Sequence, residues 1–330
     1  MVRQMLMTPT QTSGPKAASV AREVAREPSV DDVLGPIAAV TGALPQVELA
    51  FEPEIRTLWV TLKPEPKPVF TLQVISSVKK IQEAIIRLWG DAAECPVLFF
   101  AYRGVGPLFS LGGDLDYYLD CLAENNSEGL RDYATQAAEV IAHNCSGLRG
   151  LSITLATIHG KALGGGIDPA RACNVLVGEE QAVFGYPEIH YNHFPISAVP
   201  ILSRHVGMIQ AERILTQGRD YTATEFHNCG VLDAVVPTGL GENWIRDHAR
   251  RCLPSHRARM ALIAAFNRRT GNLTEELSEA VETWVKYFMQ LKPIDISKLQ
   301  RIAQIQERML LKLARTAKVD SPRLHDDSIG

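Results

Sequence analysis

Glycines and carboxylates that could do chemistry are concentrated between residues 157 and 194. Three consecutive glycines, Gly164 to Gly166, follow an apolar run typical of a β-strand, and Asp168 comes two residues later. Glycines let a backbone approach a ligand closely, and the start of a helix leaves N–H groups without internal partners. Such donors can stabilise a developing negative charge, and a carboxylate beside them can move a proton.

A second carboxylate, Glu188, follows Pro187 in a GYPEIH turn after another short apolar run. Its apolar surroundings favour a functional role, whereas Asp168 is equally suited to starting a helix, with Pro at the next position. His190 and His193 flank this turn and are either acid/base groups of a pocket or hydrogen-bonded surface residues.

An earlier glycine turn repeats the same layout. The apolar run of residues 96–102 leads into FSLGGDL, where Gly112 and Gly113 precede Asp114, a predicted helix cap. Each turn taken singly is equally consistent with simple packing. If they lie at the carboxyl ends of neighbouring strands, the turns face one pocket, and the amides of Gly113 and Gly165 form a two-donor hole for a carbonyl oxygen. A phosphate-binding loop is disfavoured because Lys161 precedes the glycines and an acid follows them.

The overall composition is that of a globular enzyme. The 330 residues are 46% hydrophobic and 22% charged, and a net charge of −3 gives no reason to expect nucleic acid as a partner. No apolar run reaches the roughly 20 residues that a membrane helix needs, and the amino terminus lacks the apolar centre of a secretory signal, so we expect a cytoplasmic protein. The cysteines, at positions 95, 121, 145, 173, 229 and 252, are far apart and form no zinc-ligand pattern. No metal site and no organic cofactor are predicted.

The order of predicted elements indicates an α/β core with a helical carboxyl-terminal region. Residues 1–45 are expected to be a mobile extension with one short helix over 17–26, and residues 318–330 a disordered tail. A β-hairpin begins the core of residues 46–240, followed by helices over 72–89 and 114–143 and buried strands over 96–102 and 153–158. Later segments are mostly helical, and residues 241–317 are predicted to form helices over 244–252, 257–266, 274–290 and 294–317.

The two glycine turns and the Pro-Glu turn together resemble the crotonase (enoyl-CoA hydratase/isomerase) superfamily. The motifs are FSLGGDL and IHGKALGGGIDPARACNVLVGEEQAVFGYPEI, and the similarity covers residues 47–310. Within the superfamily, FSLGGDLDYYLDCL, LRDYATQAAEVIAH and TWVKYFMQLKPIDISKLQRIAQIQER are most similar to the diffusible-signal-factor synthases, which make cis-2-unsaturated fatty acid signals. The resemblance implies a spiral of ββα units and a carboxyl-terminal trimerisation region, hence a homotrimer or a dimer of trimers.

The resemblance also implies roles for individual residues. The second glycine of each turn, Gly113 and Gly165, would supply the oxyanion-hole amides, while Asp168 and Glu188 stand where the family has its two catalytic glutamates. We expect further substrate contacts from Leu111, Gly112, Gly164, Tyr186 and His190. The chain departs from the family in having Asp rather than Glu at 168, Pro at 169 and the sequence FPISAVP after the Pro-Glu turn.

The implied activity is dehydration of a 3-hydroxyacyl thioester, carried by acyl carrier protein or coenzyme A, to a 2-enoyl thioester. The same oxyanion hole could also serve thioester hydrolysis, which would release a free acid. Two alternatives stay open: an ordinary enoyl-CoA hydratase or isomerase, and a catalytically weak relative that binds a sensor protein.

Overall fold

Ten strands form two sheets in the computed structural model, which describes residues 26–319. They are β1 (Val47–Glu52), β2 (Thr57–Leu62), β3 (Phe99–Gly104), β4 (Leu108–Ser110), β5 (Ile153–Ile158), β6 (Lys161–Leu163), β7 (Val175–Glu179), β8 (Val183–Gly185), β9 (Asp220–Thr222) and β10 (Ala234–Val236). The larger sheet has the order β1-β2-β3-β5-β7-β10, and only its β1–β2 pair is antiparallel. The smaller sheet has the order β4-β6-β8-β9.

The larger sheet is buried on both faces. In β2, Leu58 and Val60 belong to one apolar cluster, while Trp59 between them belongs to a second cluster on the opposite face. This is the expected result of side chains that alternate across a strand, and it explains why the strand sequence is almost continuously apolar.

Consecutive strands alternate between the two sheets. Strands β3, β5 and β7 lie in the larger sheet, and each is followed by a short strand of the smaller sheet, β4, β6 or β8, before the chain turns into helix. The repeated strand, short strand, helix pattern confirms the predicted spiral of ββα units. Because β4 pairs in parallel with β6, the two glycine turns that follow them emerge at the same edge.

Helices cover the sheets and make up the carboxyl-terminal region. They are α1 (Val30–Thr41), α2 (Leu72–Trp89), α3 (Leu115–Ala123), α4 (Ser127–Cys145), α5 (Gly147–Gly150), α6 (Asp168–Arg171), α7 (Ala198–Val206), α8 (Met208–Gln217), α9 (Ala223–Asn228), α10 (Gly241–Cys252), α11 (His256–Arg269), α12 (Leu273–Phe288) and α13 (Pro293–Val319). The predicted helix over 72–89 is confirmed. It begins where Thr71 accepts a hydrogen bond from the Val74 N–H, and its apolar face is buried.

The single helix expected over 114–143 is wrong, because the chain forms two helices there, α3 and α4. Asp114 caps α3 as predicted, by accepting a hydrogen bond from the Tyr117 N–H. Asn125 then takes a left-handed conformation with φ of 54°, and the Asn126 side chain accepts from the Gly129 N–H to start α4. Asn tolerates this backbone region better than most residues, so the pair ends one helix and begins the next.

The segment expected to be a mobile extension contains an ordered helix. Residues 1–25 lie outside the described residues, but α1 begins at a Ser29 capping box with Asp32, and its Val33 and Ile37 side chains are fully buried in the main apolar cluster. The helix has a weak internal propensity, because it contains Pro36. Burial of the two branched apolar side chains outweighs this weakness.

The carboxyl-terminal helices pack on the core. Ile245 and Ala249 of α10 join the apolar cluster around Trp59, while Trp284 of α12 packs edge-on against Tyr118 of α3 with ring centroids 5.1 Å apart. Assembly of this region into a trimer stays a prediction, as do the domain boundaries.

Among residues 26–319, no helix has the length and apolar character to cross a membrane, and no cluster of His, Cys, Asp or Glu side chains could hold a metal ion. The predicted tail falls almost wholly outside this range.

Candidate active site

A cavity of about 260 Å³ lies where the two glycine turns emerge. Seven of the nine residues that the sequence singled out line it: Leu111, Gly112, Gly113, Gly164, Gly165, Asp168 and Glu188. The fold therefore brings the two turns and the two acids, which are far apart in sequence, to one enclosure.

The second glycine turn leaves no room for a side chain on Gly164. Its φ is +52°, and a Cβ there would lie 1.8 Å from Oε1 of Glu188. By contrast, a Cβ on Gly165 would meet no atom within 4 Å. The turn thus allows the Glu188 carboxyl group to pack directly on the backbone.

The two predicted amide donors differ in their present partners. Among residues 26–319, the Gly113 N–H has no hydrogen-bond acceptor. The Gly165 N–H donates to Oε1 of Glu188 at 3.0 Å. A ligand oxygen that used both amides would therefore have to displace the Glu188 carboxyl group from Gly165.

Asp168 is fully buried and held by two hydroxyl groups. Tyr186 donates to Oδ1 at 2.8 Å, and Ser197 donates to Oδ2 at 2.7 Å. Asp168 is the first residue of α6, as the helix-starting alternative expected, but its carboxylate makes no capping hydrogen bond. Burial raises the pKa of Asp168 to about 6, although the bonds from Ser197 and Tyr186 oppose that rise by stabilising the charged form.

Glu188 lies in the turn of residues Pro187–Tyr191. Burial, together with repulsion from the neighbouring Asp168 carboxylate, raises the pKa of this side chain to about 8. Glu188 is therefore the member of the pair that holds a proton more readily, while Asp168, which accepts two hydroxyl hydrogen bonds, is the one that ionises more readily. One acid and one base are present in the same cavity, which is the arrangement that proton transfer at two neighbouring atoms requires.

A sequence model of the enoyl-CoA hydratase/isomerase family matches residues 102–298. The chain belongs to this family. It is 32% identical over 167 residues to the mevalonyl-coenzyme A hydratase SIDH of Beauveria bassiana, an alignment covering 48% of this chain and 57% of that protein. With the mevalonyl-coenzyme A hydratase sidH of Aspergillus fumigatus, identity is 28% over 204 residues, covering 59% and 69%. The chain thus spans little more than half the length of the first of these curated relatives.

Solved structures of other family members share the fold. An enoyl-CoA hydratase/isomerase from Xanthobacter autotrophicus Py2 superposes with a TM-score of 0.66 at 19% identity, covering 82% of this chain and 97% of that one. This agreement confirms the predicted crotonase fold.

Most of the cavity wall in this family member is apolar. Side chains from β2, α2, β3 and α4 form one part of it: Leu62, Ile75, Val78, Tyr102, Ala137, Val140 and Ile141. Helix α13 supplies another part through Ile302, Ile305, Gln306 and Met309, and the Gln306 amide donates to the Leu111 carbonyl at 3.2 Å. An apolar enclosure with a few polar groups suits an acyl chain joined to a polar reacting end.

Two predicted substrate contacts lie elsewhere. Tyr186 does not line the cavity and instead donates a hydrogen bond to Asp168. The His190 ring contacts the Gly218 carbonyl, with Nε2 and the oxygen 3.0 Å apart. Sequence reasoning missed Ser197 and Tyr118, and it left His193 undecided, although all three line the cavity. The only sequence signal for Ser197 is its place in FPISAVP, the stretch that departs from the family pattern.

Proposed function

We propose that this chain interconverts a 3-hydroxyacyl thioester and a 2-enoyl thioester, in the direction of dehydration. The observation that carries the proposal is the pair of carboxyl groups of Asp168 and Glu188, which line one largely apolar cavity and whose pKa values are both raised by burial. The hydratase names of the curated relatives support the same reaction type.

Binding would begin with exchange of a hydrogen-bond acceptor. The thioester carbonyl oxygen accepts from the Gly113 N–H and replaces Oε1 of Glu188 as the acceptor of the Gly165 N–H. A protonated carboxyl group is a weaker acceptor than a carboxylate, so the exchange is easiest while Glu188 holds its proton. The two amides then polarise the carbonyl and stabilise the enolate that forms when C2 loses a proton.

The elimination balances with one proton moving at each carboxyl group. Asp168, which ionises more readily, accepts the C2 proton as the C2–H electron pair forms the enolate. The enolate collapses to a C2–C3 double bond, the C3–O bond breaks, and Glu188 donates its proton to the departing hydroxyl group, which leaves as water. The bonds from Tyr186 and Ser197 keep Asp168 ionised and oriented.

We further propose that the thioester is then hydrolysed to a free unsaturated fatty acid. The same two amides would stabilise the oxyanion of a tetrahedral intermediate formed when water attacks the carbonyl carbon. The similarity of the FSLGGDL region to the diffusible-signal-factor synthases supports this second step. Acyl carrier protein and coenzyme A are the two candidate carriers.

Product analysis tests both steps. The purified chain is incubated with 3-hydroxyacyl thioesters of graded length on each carrier, beside Glu188→Gln, and products are identified by mass spectrometry. We expect 2-enoyl products from the wild type and a loss of about 100-fold or more in the variant. Free acid supports hydrolysis, whereas an enoyl thioester alone indicates an ordinary hydratase. Turnover that is unchanged in Glu188→Gln refutes the proposed function.

A further inference from the structure

The hydroxyl group of Tyr118 reaches the cavity without a hydrogen-bond partner. Tyr118 lines the cavity and is only 4% exposed. Among residues 26–319, its hydroxyl oxygen makes no hydrogen bond, yet it is not one of the seven fully enclosed side-chain atoms that lack a partner. The oxygen therefore keeps surface that a bound molecule can contact. Buried tyrosine hydroxyl groups usually have a partner, so this free donor points to a ligand.

The ring of Tyr118 is held by aromatic packing. Its centroid lies 5.0 Å from that of Tyr133, 5.1 Å from that of Trp284 and 5.5 Å from that of Phe288, and all three contacts are edge-on. The nearby Tyr133 hydroxyl group is already engaged, because it donates to the Phe70 carbonyl oxygen at 2.5 Å. The position of the Tyr118 hydroxyl group is thus set by its ring, and its proton is available to a ligand.

This hydroxyl group lies against the first of the two predicted oxyanion-hole amides. A Cβ on Gly113 would lie 2.1 Å from the Tyr118 hydroxyl oxygen. Because a Cβ is about 2.5 Å from the nitrogen of its own residue, the hydroxyl oxygen and the Gly113 nitrogen are at most about 4.6 Å apart. Two donors at that separation can share one acceptor oxygen, each through a hydrogen bond of about 2.7 to 2.9 Å.

The direction of the Gly113 N–H is fixed through its own peptide group. The Gly112 carbonyl oxygen accepts a hydrogen bond from the Phe70 N–H at 2.9 Å. The carbonyl and the N–H of a trans peptide point in opposite directions, so the Gly113 N–H is directed away from the Phe70 backbone. A turn of this peptide would break that bond. The amide beside Tyr118 is therefore a preorganised donor.

The Tyr118 hydroxyl group remains a neutral donor. Burial raises the pKa of Tyr118 well above its ordinary value, so the group keeps its proton and does not act as a base. The strongest partner for such a donor is an oxygen that gains negative charge. A thioester carbonyl oxygen gains that charge when C2 loses a proton, and the neighbouring Gly113 N–H is a donor to the same atom in the proposed function.

We propose that the Tyr118 hydroxyl group donates a third hydrogen bond to the carbonyl oxygen of the bound acyl thioester. This inference rests on the proposed function, because that function places the carbonyl oxygen at the Gly113 and Gly165 amides. Tyr118 keeps its proton throughout, and no covalent bond to it forms or breaks. Its contribution is to stabilise the enolate oxygen, which carries more negative charge than the carbonyl oxygen of the bound substrate.

The vibration of a bound carbonyl group tests the third donor without turnover. The probe is a saturated acyl-pantetheine ketone, in which a methylene replaces the thioester sulfur and the carbonyl carbon is ¹³C. It carries the arm that coenzyme A and acyl carrier protein share, and it can be neither dehydrated nor hydrolysed. Infrared difference spectra at saturating probe are recorded for the wild type, Tyr118→Phe and Tyr117→Phe. Tyr117 is the matched control, because its hydroxyl group donates to the Gly129 carbonyl at 3.2 Å and does not line the cavity.

We expect a higher carbonyl stretching frequency in Tyr118→Phe than in the wild type, and the wild-type frequency in Tyr117→Phe. With a 3-hydroxyacyl thioester, Tyr118→Phe should lower kcat by about 100-fold with little change in KM. It should unfold at the wild-type urea concentration, since the hydroxyl group that it removes makes no hydrogen bond within residues 26–319.

An unchanged carbonyl frequency in Tyr118→Phe overturns the third donor, whatever happens to kcat, and so does the absence of a bound-carbonyl signal in the wild type. If the frequency depends on Tyr118 while the wild type forms no 2-enoyl product, the proposed function fails and the third donor stands.

Discussion

Replacing Glu188 with glutamine should change how the free energy of unfolding depends on pH. Burial raises the pKa of Glu188 in the native protein from 4.5 to about 8. The unfolded chain ionises this group near its ordinary value, so between these two pH values the unfolded state releases a proton that the native state retains. The stability contributed by this group is complete below the unfolded pKa and is lost as the pH rises through the native pKa.

The size of the effect follows from the same two values. The interval from 4.5 to about 8, at about 1.4 kcal/mol for each pH unit, gives a loss of about 5 kcal/mol in the wild type. Glutamine cannot ionise, so Glu188→Gln lacks this loss. The unfolding free energy of Glu188→Gln minus that of the wild type should therefore increase as the pH rises across this interval, and it should stay constant above the interval.

Urea unfolding followed by circular dichroism at a series of pH values measures this difference directly. Glu180→Gln is the matched control, because the Glu180 side chain is exposed, and its curve should run parallel to that of the wild type. If the Glu188→Gln curve also runs parallel to the wild type at every pH, the buried, proton-holding role of Glu188 is refuted.

Three further perturbations follow from the same geometry. Ser197→Ala removes a donor that lowers the pKa of Asp168, so the acidic limb of the pH profile of kcat should move up by about one pH unit; an unmoved limb contradicts the role of this bond. Gly164→Ala places a Cβ 1.8 Å from the Glu188 carboxyl oxygen and should lower kcat by about 100-fold. Gly165→Ala has open space at its Cβ, so this variant should unfold at the same urea concentration as the wild type. An undiminished kcat in Gly164→Ala, or a lowered unfolding concentration in Gly165→Ala, would argue against this steric account. KM should rise as the pH passes about 8, because ionised Glu188 holds the Gly165 N–H more strongly against the substrate carbonyl, and a KM independent of pH there would exclude this competition.

Local patterns in the sequence predict much of the fold. The helix Leu72–Trp89 and the strand Ile153–Ile158 are found where periodicity and apolar runs place them, because each pattern matches the burial that the element needs. The break at Asn125 was missed because its left-handed turn interrupts a sequence whose apolar spacing otherwise continues. The ordered helix Val30–Thr41 was missed because its stability comes from burial against the core.

The glycines and acids of the candidate site were identifiable, since motif spacing carries them. Spacing along the chain could not show which side chains are in contact. The bonds of Ser197 and Tyr186 to Asp168 join residues 29 and 18 positions apart, and the sequence pointed to Tyr186 only as a substrate contact. The contact between Glu188 and the Gly165 amide likewise depends on how two loops meet in the folded chain.

Uptake of solvent deuterium at C2 tests most directly whether the buried acid pair performs proton transfer on an acyl thioester. A 2-enoyl thioester is hydrated in D₂O by the wild type, by Asp168→Asn and by Glu188→Gln, and the 3-hydroxyacyl product is examined by mass spectrometry and NMR. The mechanism predicts deuterium at C2 in the wild-type product and a rate at least about 100-fold lower in each variant. Deuterium uptake at the wild-type rate in both variants would contradict it.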